Sequence, residues 1–295
     1  MSVVAISENM GSLGVEIGHA VAASLGYQFA ERDIISKAAD RFGEDAGRLS
    51  HAVEERPTLV DRLSTAQRRF AQYVEATVQE LAARDDIVLV GLASTIILAR
   101  TPHTLRARVT ASEGQRAERV AQALGLDSAD ALDRVRQSDR ERAGRVWFLY
   151  HVDLENPLLY DLVINTDRLE AEEGAGLVQQ ALQHPRFRST EASRLMMRDM
   201  SLVTQARAML LADPVTSRRS ISVDCTDGVV SLGGRVEEWS VRRAAEQALG
   251  NLPGIREIRF LSPAAIEGPP GSVEEGRPDL HHGEAHRWGG HGPSR

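Results

Sequence analysis

The 295-residue chain has one cysteine, Cys225, and only 4% aromatic residues. A single cysteine excludes an intramolecular disulfide and is typical of a reducing compartment. Because hydrophobic residues still make up 42% of the chain, we expect cores built from aliphatic side chains. Cys225 alternates with apolar neighbours on a predicted strand, so we interpret it as a core residue.

The sequence also lacks a basic amino-terminal segment followed by an apolar stretch, so we expect no signal peptide. Its most apolar run, residues 87–99, is shorter than the roughly 20 residues of a membrane span. The net charge of −7 argues against general nucleic-acid binding. Together these absences predict a cytoplasmic protein without a nucleic-acid partner.

Lysine is missing from the start of the chain, where Lys37 is the first to occur. Residues 3–18 combine a short apolar strand, a glycine-bearing turn and the start of an amphipathic helix, which is the layout of a phosphate-binding loop. The motif Gly-x-x-x-x-Gly-Lys-Ser/Thr would need a lysine there. Gly11 and Gly14 could also serve only a tight strand-to-helix turn, so both interpretations stay open.

Predicted strands alternate with predicted helices through the first 182 residues. The strand segments are 2–6, 27–30, 87–91, 105–111 and 160–166. This order predicts an α/β fold in three layers, a parallel sheet with helices on both faces. The loops that follow the strands should gather at the carboxyl edge of the sheet, where ligands bind.

A polar, basic stretch, residues 184–194, is interpreted as a linker to a second unit, residues 195–263. Helix, hairpin, helix and strand follow in that unit, with a turn signal at Asp227-Gly228. This order predicts a small α+β domain. The sequence pattern predicts that the first helix of this unit begins at residue 202.

Residues 264–295 are rich in glycine, proline, histidine and charge, and we expect them to be disordered. The tail contains His281, His282, His286 and His291. Imidazoles can bind Zn²⁺ or Ni²⁺. We nevertheless interpret the tail as flexible and predict no metal site.

Several stretches of residues 1–183 together resemble one family. They are Gly11-Ser12-x-Gly14-x-Glu16-Ile17, Glu31-Arg32-Asp33-Ile34-Ile35, Ser138-Asp139-x-x-Arg142 and Tyr160-Asp161-Leu162-Val163-Ile164-Asn165-Thr166. This part of the chain resembles the cytidylate kinase-like family, a bacterial branch of the P-loop nucleoside monophosphate kinases. The resemblance implies binding of ATP with Mg²⁺ and of a CMP-like acceptor.

The resemblance also implies roles for particular residues. Asp139 and Arg142 would be catalytic, and Arg32, Asp33 and Arg140 would bind the acceptor. The cofactor phosphates would meet the loop residues Gly11, Ser12, Gly14, Val15 and Glu16. Alternatively, the arginines after Asp139 form a solvated helix face paired with neighbouring carboxylates. We interpret Arg116 and Arg119 as surface residues.

Four positions depart from the family pattern; three of them remove a cation, and one of these three adds an anion. Relatives usually carry arginine where this chain has Glu8, Val15 and Leu92, and glycine where it has Leu13. Two unit charges about 4 Å apart repel by roughly 4 kcal/mol at an effective dielectric of 20, so Glu8 beside a triphosphate would be costly unless a metal bridges them. A Cβ at position 13 also obstructs the close approach of phosphate to the backbone.

A second resemblance covers residues 194–262. The stretches are Leu210-Leu211-Ala212-Asp213-Pro214, Asp227-Gly228-Val229-Val230-Ser231-Leu232 and Pro253-Gly254-Ile255, and they resemble a BON domain. The resemblance implies contact with a protein partner or an anionic lipid surface. The basic spots, Arg218-Arg219, Arg235 and Arg242-Arg243, could meet such a surface or be ordinary surface.

Two hypotheses follow. In the first, the chain is a regulatory nucleotide-binding protein with weak or no phosphoryl transfer, and the BON domain contacts a protein partner or a membrane surface. In the second, it is an active kinase that transfers phosphate from ATP to CMP or dCMP. A predicted helix at 57–83 has an apolar stripe that could pack on the sheet or form a homodimer face.

Overall fold

The computed structural model describes residues 2–31, 33–47, 49 and 65–261. Four predictions lie outside these residues: the role of Arg32, the helix start at Pro57, and the disorder and the lack of a metal site in residues 264–295. Over the described ranges, we find no helix that combines the length and the apolar character needed to cross a membrane.

Five parallel strands form the first sheet, in the order β2-β3-β1-β4-β5. They are β1 (Val3–Glu8), β2 (Gln28–Ala30), β3 (Ile87–Val90), β4 (Thr104–Thr110) and β5 (Leu162–Asn165). β1 lies at the centre, with Val3 in register with Ile87 on one side and Thr104 on the other. The predicted parallel sheet is confirmed.

Helices cover both faces of this sheet. They are α1 (Gly14–Leu25), α2 (Asp33–Phe42), α3 (Thr65–Ala82), the short α4 (Ser94–Ile97), α5 (Glu113–Leu124), α6 (Ser128–Tyr150) and α7 (Ala171–Leu182). Successive strand residues point to opposite faces. Val4 and Ile6 therefore pack with α1 and α7, while Val3 and Ala5 pack with α2 and α3.

The carboxyl-terminal unit has its own sheet, in the order β6-β7-β8. Its elements are α8 (Glu191–Ala212), β6 (Ile221–Thr226), β7 (Val229–Gly234), α9 (Trp239–Leu249) and β8 (Glu257–Phe260). Asp227 and Gly228 have φ of 49° and 75°, as a two-residue hairpin turn requires. The predicted α+β order and hairpin are confirmed.

The first helix of this unit starts earlier than the sequence pattern indicates. Thr190 and Ser193 form a capping box, with Ser193 N–H donating to Thr190 Oγ1 at 3.1 Å, so α8 begins at Glu191. Residues 191–194 of the predicted linker are therefore helical, and the predicted start at residue 202 is wrong. The early turns gain stability by packing Met197 into the core under α3, a contact that local sequence patterns do not reveal.

Helix α3 buries its apolar stripe within the chain. Phe70, Tyr73 and Val74 belong to the core shared with α2 and the first sheet. Arg41 of α2 donates to Glu80 of α3 and also to Gln205 of α8. The described part of the stripe is thus covered by the chain's own elements, and the homodimer remains an untested prediction.

Candidate nucleotide site

A cavity of about 690 Å³ opens at the carboxyl ends of β1 and β3. Its floor is the loop after β1, and its walls come from α1, α3 and α6. This is the edge at which the sequence predicted that the loops would gather. The cavity therefore marks the candidate site.

The loop after β1 keeps the shape of a phosphate cradle. Gly11 has φ of 76°, and a Cβ there would lie 2.7 Å from the carbonyl oxygen of Arg116, so only glycine fits. Leu13 adopts φ of 66° and ψ of 19° and immediately precedes α1. A left-handed conformation costs a non-glycine residue roughly 1–2 kcal/mol, so the loop stores strain at its rim.

Glu8 turns its side chain into this cradle. A Cβ built on Gly14 would lie 2.5 Å from both Glu8 Cβ and Glu8 Oε2, which shows how closely the carboxylate lies against the start of α1. The backbone amide of Val15 lowers the pKa of this carboxyl, but less than burial raises it. Burial raises the pKa of Glu8 to about 7, although nearby Arg142 works in the opposite direction.

Behind the loop, Arg116 and Asp139 form an ion pair. Arg116 donates to Asp139 at 2.8 and 3.1 Å, and Asn9 Nδ2 donates to the same carboxylate at 2.7 Å. Arg116 is only 4% exposed, so the interpretation of it as a surface residue is wrong. The pairing crosses from α5 to α6, which no local charge spacing would show. Asp139, the predicted catalytic carboxylate, lies in this pair behind the cavity lining.

Arg119 also supports the loop from behind. It donates to the carbonyl oxygens of Gly11 at 3.2 Å and Thr166 at 2.7 Å. Thr166 Oγ1 in turn donates to the carbonyl of Ser12 at 2.9 Å. Arg119 is half-buried, so the interpretation of it as a surface residue is also wrong.

Two guanidinium groups meet at Ser7. Arg142 donates to Ser7 Oγ at 2.7 Å and Arg108 donates to it at 3.2 Å. Arg108 also pairs with Glu155 at 2.6 Å. Burial and the neighbouring Arg108 lower the pKa of Arg142 to about 10. Arg108 is not predicted as a site residue from the sequence; the available signal was an arginine within a predicted strand.

Helix α6 supplies the arginines of the cavity wall. Arg134, Arg142 and Arg145 line the cavity, together with Glu141 of the same helix. Glu16 and Glu31 line it from the opposite side. The alternative of a wholly solvated helix face is thus wrong for Arg142 and Arg145, whereas Arg140 is exposed and lies outside the lining.

The remaining predicted site residues fall at two places. Gly11, Val15 and Glu16 line the cavity, while Ser12 and Gly14 are buried within the loop. Asp33 begins α2, where it pairs with Lys37 at 2.5 Å and accepts from the Glu31 amide at 2.8 Å. Leu92 lines the opposite rim with φ of 50° and contributes an apolar side chain there.

A parallel sheet whose central strand runs through a glycine loop into a helix is the layout of a phosphate-loop fold. The family model of the cytidylate kinase-like family matches residues 3–168, more than half of the chain. The chain belongs to this family. A BON domain model matches residues 199–259.

Known proteins agree with this assignment. A cytidylate kinase of Methanopyrus kandleri is 27% identical over 157 residues, which cover 50% of this chain and 76% of the relative. A cytidylate kinase of Archaeoglobus fulgidus is 25% identical over 182 residues, covering 61% and 94%. The solved structure of an uncharacterized protein from Eubacterium ventriosum shares the fold with a TM-score of 0.50 and 14% identity, covering 62% of this chain and 99% of that one.

The family implies ATP with Mg²⁺ if the chain is an active kinase. The cradle does not fit a triphosphate in its present form, because the Glu8 carboxylate lies against Gly14 at the start of α1. No lysine or arginine lies between Ser7 and Gly18 to offset the added charge. Arginines on α6 are the cations available to a phosphate in this cavity.

Proposed function

We propose that this protein binds nucleotide in a degenerate kinase site and acts in regulation, with weak or no phosphoryl transfer. The observation that carries the proposal is the Glu8 carboxylate inside a cradle that has no cation of its own. Phosphoryl transfer depends on positioning and on neutralising phosphate charge. A loop that contributes the Glu8 carboxylate in place of a cation opposes both the positioning of the phosphate and the neutralisation of its charge.

The test combines a thermal-shift assay with a coupled kinase assay, using ATP, GTP, CMP and dCMP with and without Mg²⁺. We expect a stabilising shift without turnover. Turnover at an ordinary kinase rate, on the order of 1–100 s⁻¹, would refute the regulatory interpretation. Absence of any shift would refute nucleotide binding as well.

The second candidate is an active CMP or dCMP kinase that draws its cations from α6. Arg134, Arg142 and Arg145 in the cavity wall favour it. The double variant Glu8→Arg/Leu13→Gly restores the family's charge and its glycine, and should raise ATP affinity. Unchanged affinity would mean that nucleotide does not sit at this loop.

For the BON domain, we propose contact with an anionic surface through an exposed patch around Trp239. Trp239 is 70% exposed, and the Arg243 guanidinium lies over its ring at 5.1 Å. Arg218 and Arg235 are exposed in the same domain, whereas Arg242 is held by the Val236 carbonyl. Tryptophan and arginine together suit the interface of an anionic membrane.

Vesicle cosedimentation tests this contact. We expect binding to vesicles with anionic lipid and a marked loss of binding in Trp239→Ala. Trp147→Ala is the matched control, because Trp147 is also exposed but lies on α6 of the kinase-like domain. Absence of binding to anionic vesicles would leave a protein partner as the function of the domain.

A further inference from the structure

A second cavity, of about 550 Å³, lies between the kinase-like domain and the BON domain. Residues of α2, α3 and α8 line it, together with the hairpin between β6 and β7 and the loop before β8. Of the described residues, none lines both this cavity and the candidate nucleotide site. Small-molecule sites often lie at such domain interfaces and have volumes of this order, so the cavity is a candidate site for a second ligand.

Helix α8 holds the two domains together beside this cavity. Met197 and Ala208 of α8 belong to the core under α3, whereas Leu202 and Ala206 belong to the core of the BON domain. One continuous helix therefore contributes to both cores. The packing of both domains on α8 sets the shape of the space between them.

Part of the cavity lining is apolar. Leu195 of α8 is 41% exposed there, and Ala83, Leu202 and Pro253 lie along the same lining. A Cβ built on Gly254 would lie 3.5 Å from Leu202 Cδ2, so the loop before β8 packs directly on α8. An alkyl group bound in the cavity would remove the apolar surface of Leu195 from water, which favours binding.

Charged side chains complete the lining, and most of the carboxylates among them are already bonded. The four arginines and three carboxylates give a net charge of +1, and they are Arg41, Glu80, Arg84, Arg198, Asp199, Asp227 and Arg256. Glu80 accepts from Arg41 and, at 2.8 Å, from Arg84. Asp199 accepts from the backbone amides of Asp227 at 2.8 Å and Gly228 at 2.9 Å. Asp227 is therefore the remaining carboxylate, and it is exposed on the hairpin.

Two arginines of the cavity have no carboxylate partner within the described ranges. Arg198 is exposed and makes no hydrogen bond or ion pair with another described residue. Arg256 is also exposed, and its Nη1 donates to the carbonyl oxygen of Asp227 at 3.2 Å. Glu257, the next residue, pairs with Arg259 instead, at 2.8 Å. Since a guanidinium has five N–H donors, both arginines can still bind an oxyanion.

We propose that this cavity binds a small carboxylate with an apolar body, its carboxylate on Arg198 and Arg256 and its body against Leu195 and Leu202. A guanidinium pairs with both oxygens of a carboxylate in a fork. The net charge of +1 matches a ligand with a single negative charge better than a phosphate ester, which carries nearly two. Because both domains line the cavity, the bound ligand stabilises their packed arrangement.

Calorimetric titration of the full chain with octanoate at low ionic strength tests the proposal. Butyrate keeps the carboxylate with a shorter body, and octylammonium keeps the body but reverses the charge. We expect octanoate to bind more tightly than butyrate, by up to about fourfold for each added methylene, and more tightly than octylammonium. Failure of octanoate to bind, or equal binding of octylammonium, would overturn the proposal.

Variants of the arginines locate the carboxylate. Arg198→Gln and Arg256→Gln should each weaken octanoate binding about tenfold, because a hydrogen bond between charged groups is lost. Arg259→Gln is the matched control, since Arg259 is exposed on β8 but lies outside the cavity lining. All three side chains are exposed, so these variants should fold. Equal octanoate affinity in the three variants would refute the assigned carboxylate contacts.

A pair of neighbouring residues on α8 locates the apolar body. Leu195 and Met196 are 41% and 49% exposed, but only Leu195 of the two lines the cavity. Leu195→Ala should weaken octanoate binding about fivefold, whereas Met196→Ala should leave it unchanged. An equal loss in the two variants would show that the alkyl chain binds elsewhere.

This proposal and the proposed nucleotide binding can fail separately, because they concern different cavities. If octanoate binds with the expected variant pattern but no nucleotide does, the carboxylate site is supported and the proposed function is refuted. If nucleotides bind but octanoate does not, the carboxylate site is refuted and nucleotide binding stands.

Discussion

The two sides of the phosphate loop differ in the charged groups that lie against them. On the protein side, Arg116 and Arg119 bond to Asp139 and to loop carbonyls. On the cavity side, the Glu8 carboxylate lies in the cradle against Gly14. The contacts that hold the loop's shape therefore lie on the protein side, and a retained shape does not by itself indicate retained phosphate chemistry.

The largest expected effect comes from the protein side. Arg116→Ala removes one partner of a largely buried ion pair and leaves Asp139 with a single side-chain donor, Asn9. Breaking such pairs costs about 3–5 kcal/mol. Urea denaturation should show a loss of this order.

The exposed pair of Arg136 with Glu113 is the matched control, joined at 3.0 Å between the same two helices. Arg136→Ala should cost about 0–1 kcal/mol, as exposed pairs do. If Arg116→Ala costs no more than Arg136→Ala, the loop does not depend on its protein-side contacts.

The next largest effect lies on the cavity side and depends on pH. The pKa of Glu8 is raised from 4.5 to about 7 in the folded chain. Its ionisation therefore penalises folding increasingly between these two values and fully above pH 7. Glu8→Gln should stabilise the protein at pH 8 by up to roughly 3 kcal/mol, and the gain should shrink towards pH 5.

Chemical denaturation across pH 5–8 measures this difference. Glu141→Gln, in the same cavity, should stay within about 0.5 kcal/mol of the natural chain. A gain from Glu8→Gln that is constant with pH would show that desolvation of the carboxylate is not the cause.

The strands of the fold could be predicted from the sequence, whereas the arrangement of side chains on the two sides of the loop could not. The strands could be predicted because each is a short apolar run followed by a helical pattern, as in residues 87–90. The departures at Glu8 and Leu13 could be recognised only against a family pattern. That Glu8 folds back onto the start of α1 could not, because the sequence does not fix a side-chain direction.

Side-chain pairs between residues far apart in the sequence could not be predicted either. Arg116 and Asp139 lie 23 positions apart on two helices, and their pairing depends on how those helices cross. Arg108 and Arg142 meet at Ser7 for the same kind of reason. Such residues appear as surface charge in a periodicity analysis, which is why Arg116 and Arg119 were placed wrongly.

A smaller effect is expected where the two sides meet, at Gly14. Gly14→Ala puts a methyl group 2.5 Å from Glu8 Cβ and Oε2, so the Glu8 side chain or the first turn of α1 must shift. Overpacking of this kind costs about 1–3 kcal/mol. Gly114→Ala is the control, because its Cβ would meet nothing within 4 Å in α5, and it should stabilise by roughly 0.5–1 kcal/mol. Equal stability changes in the two variants would place the Glu8 side chain away from the cradle.

The smallest effect concerns backbone strain at the cavity rim. Leu13 and Leu92 both have positive φ, of 66° and 50°. Glycine at position 13 relieves roughly 1–2 kcal/mol of left-handed strain and costs about 0.5–1 kcal/mol of added chain entropy, so Leu13→Gly should stabilise by less than about 1 kcal/mol. Leu92 packs against the core under α3, so Leu92→Gly should instead destabilise through lost contacts. Thermal unfolding of the two variants measures the contrast, and a loss of stability in Leu13→Gly would mean that the Leu13 side chain supports the loop through packing.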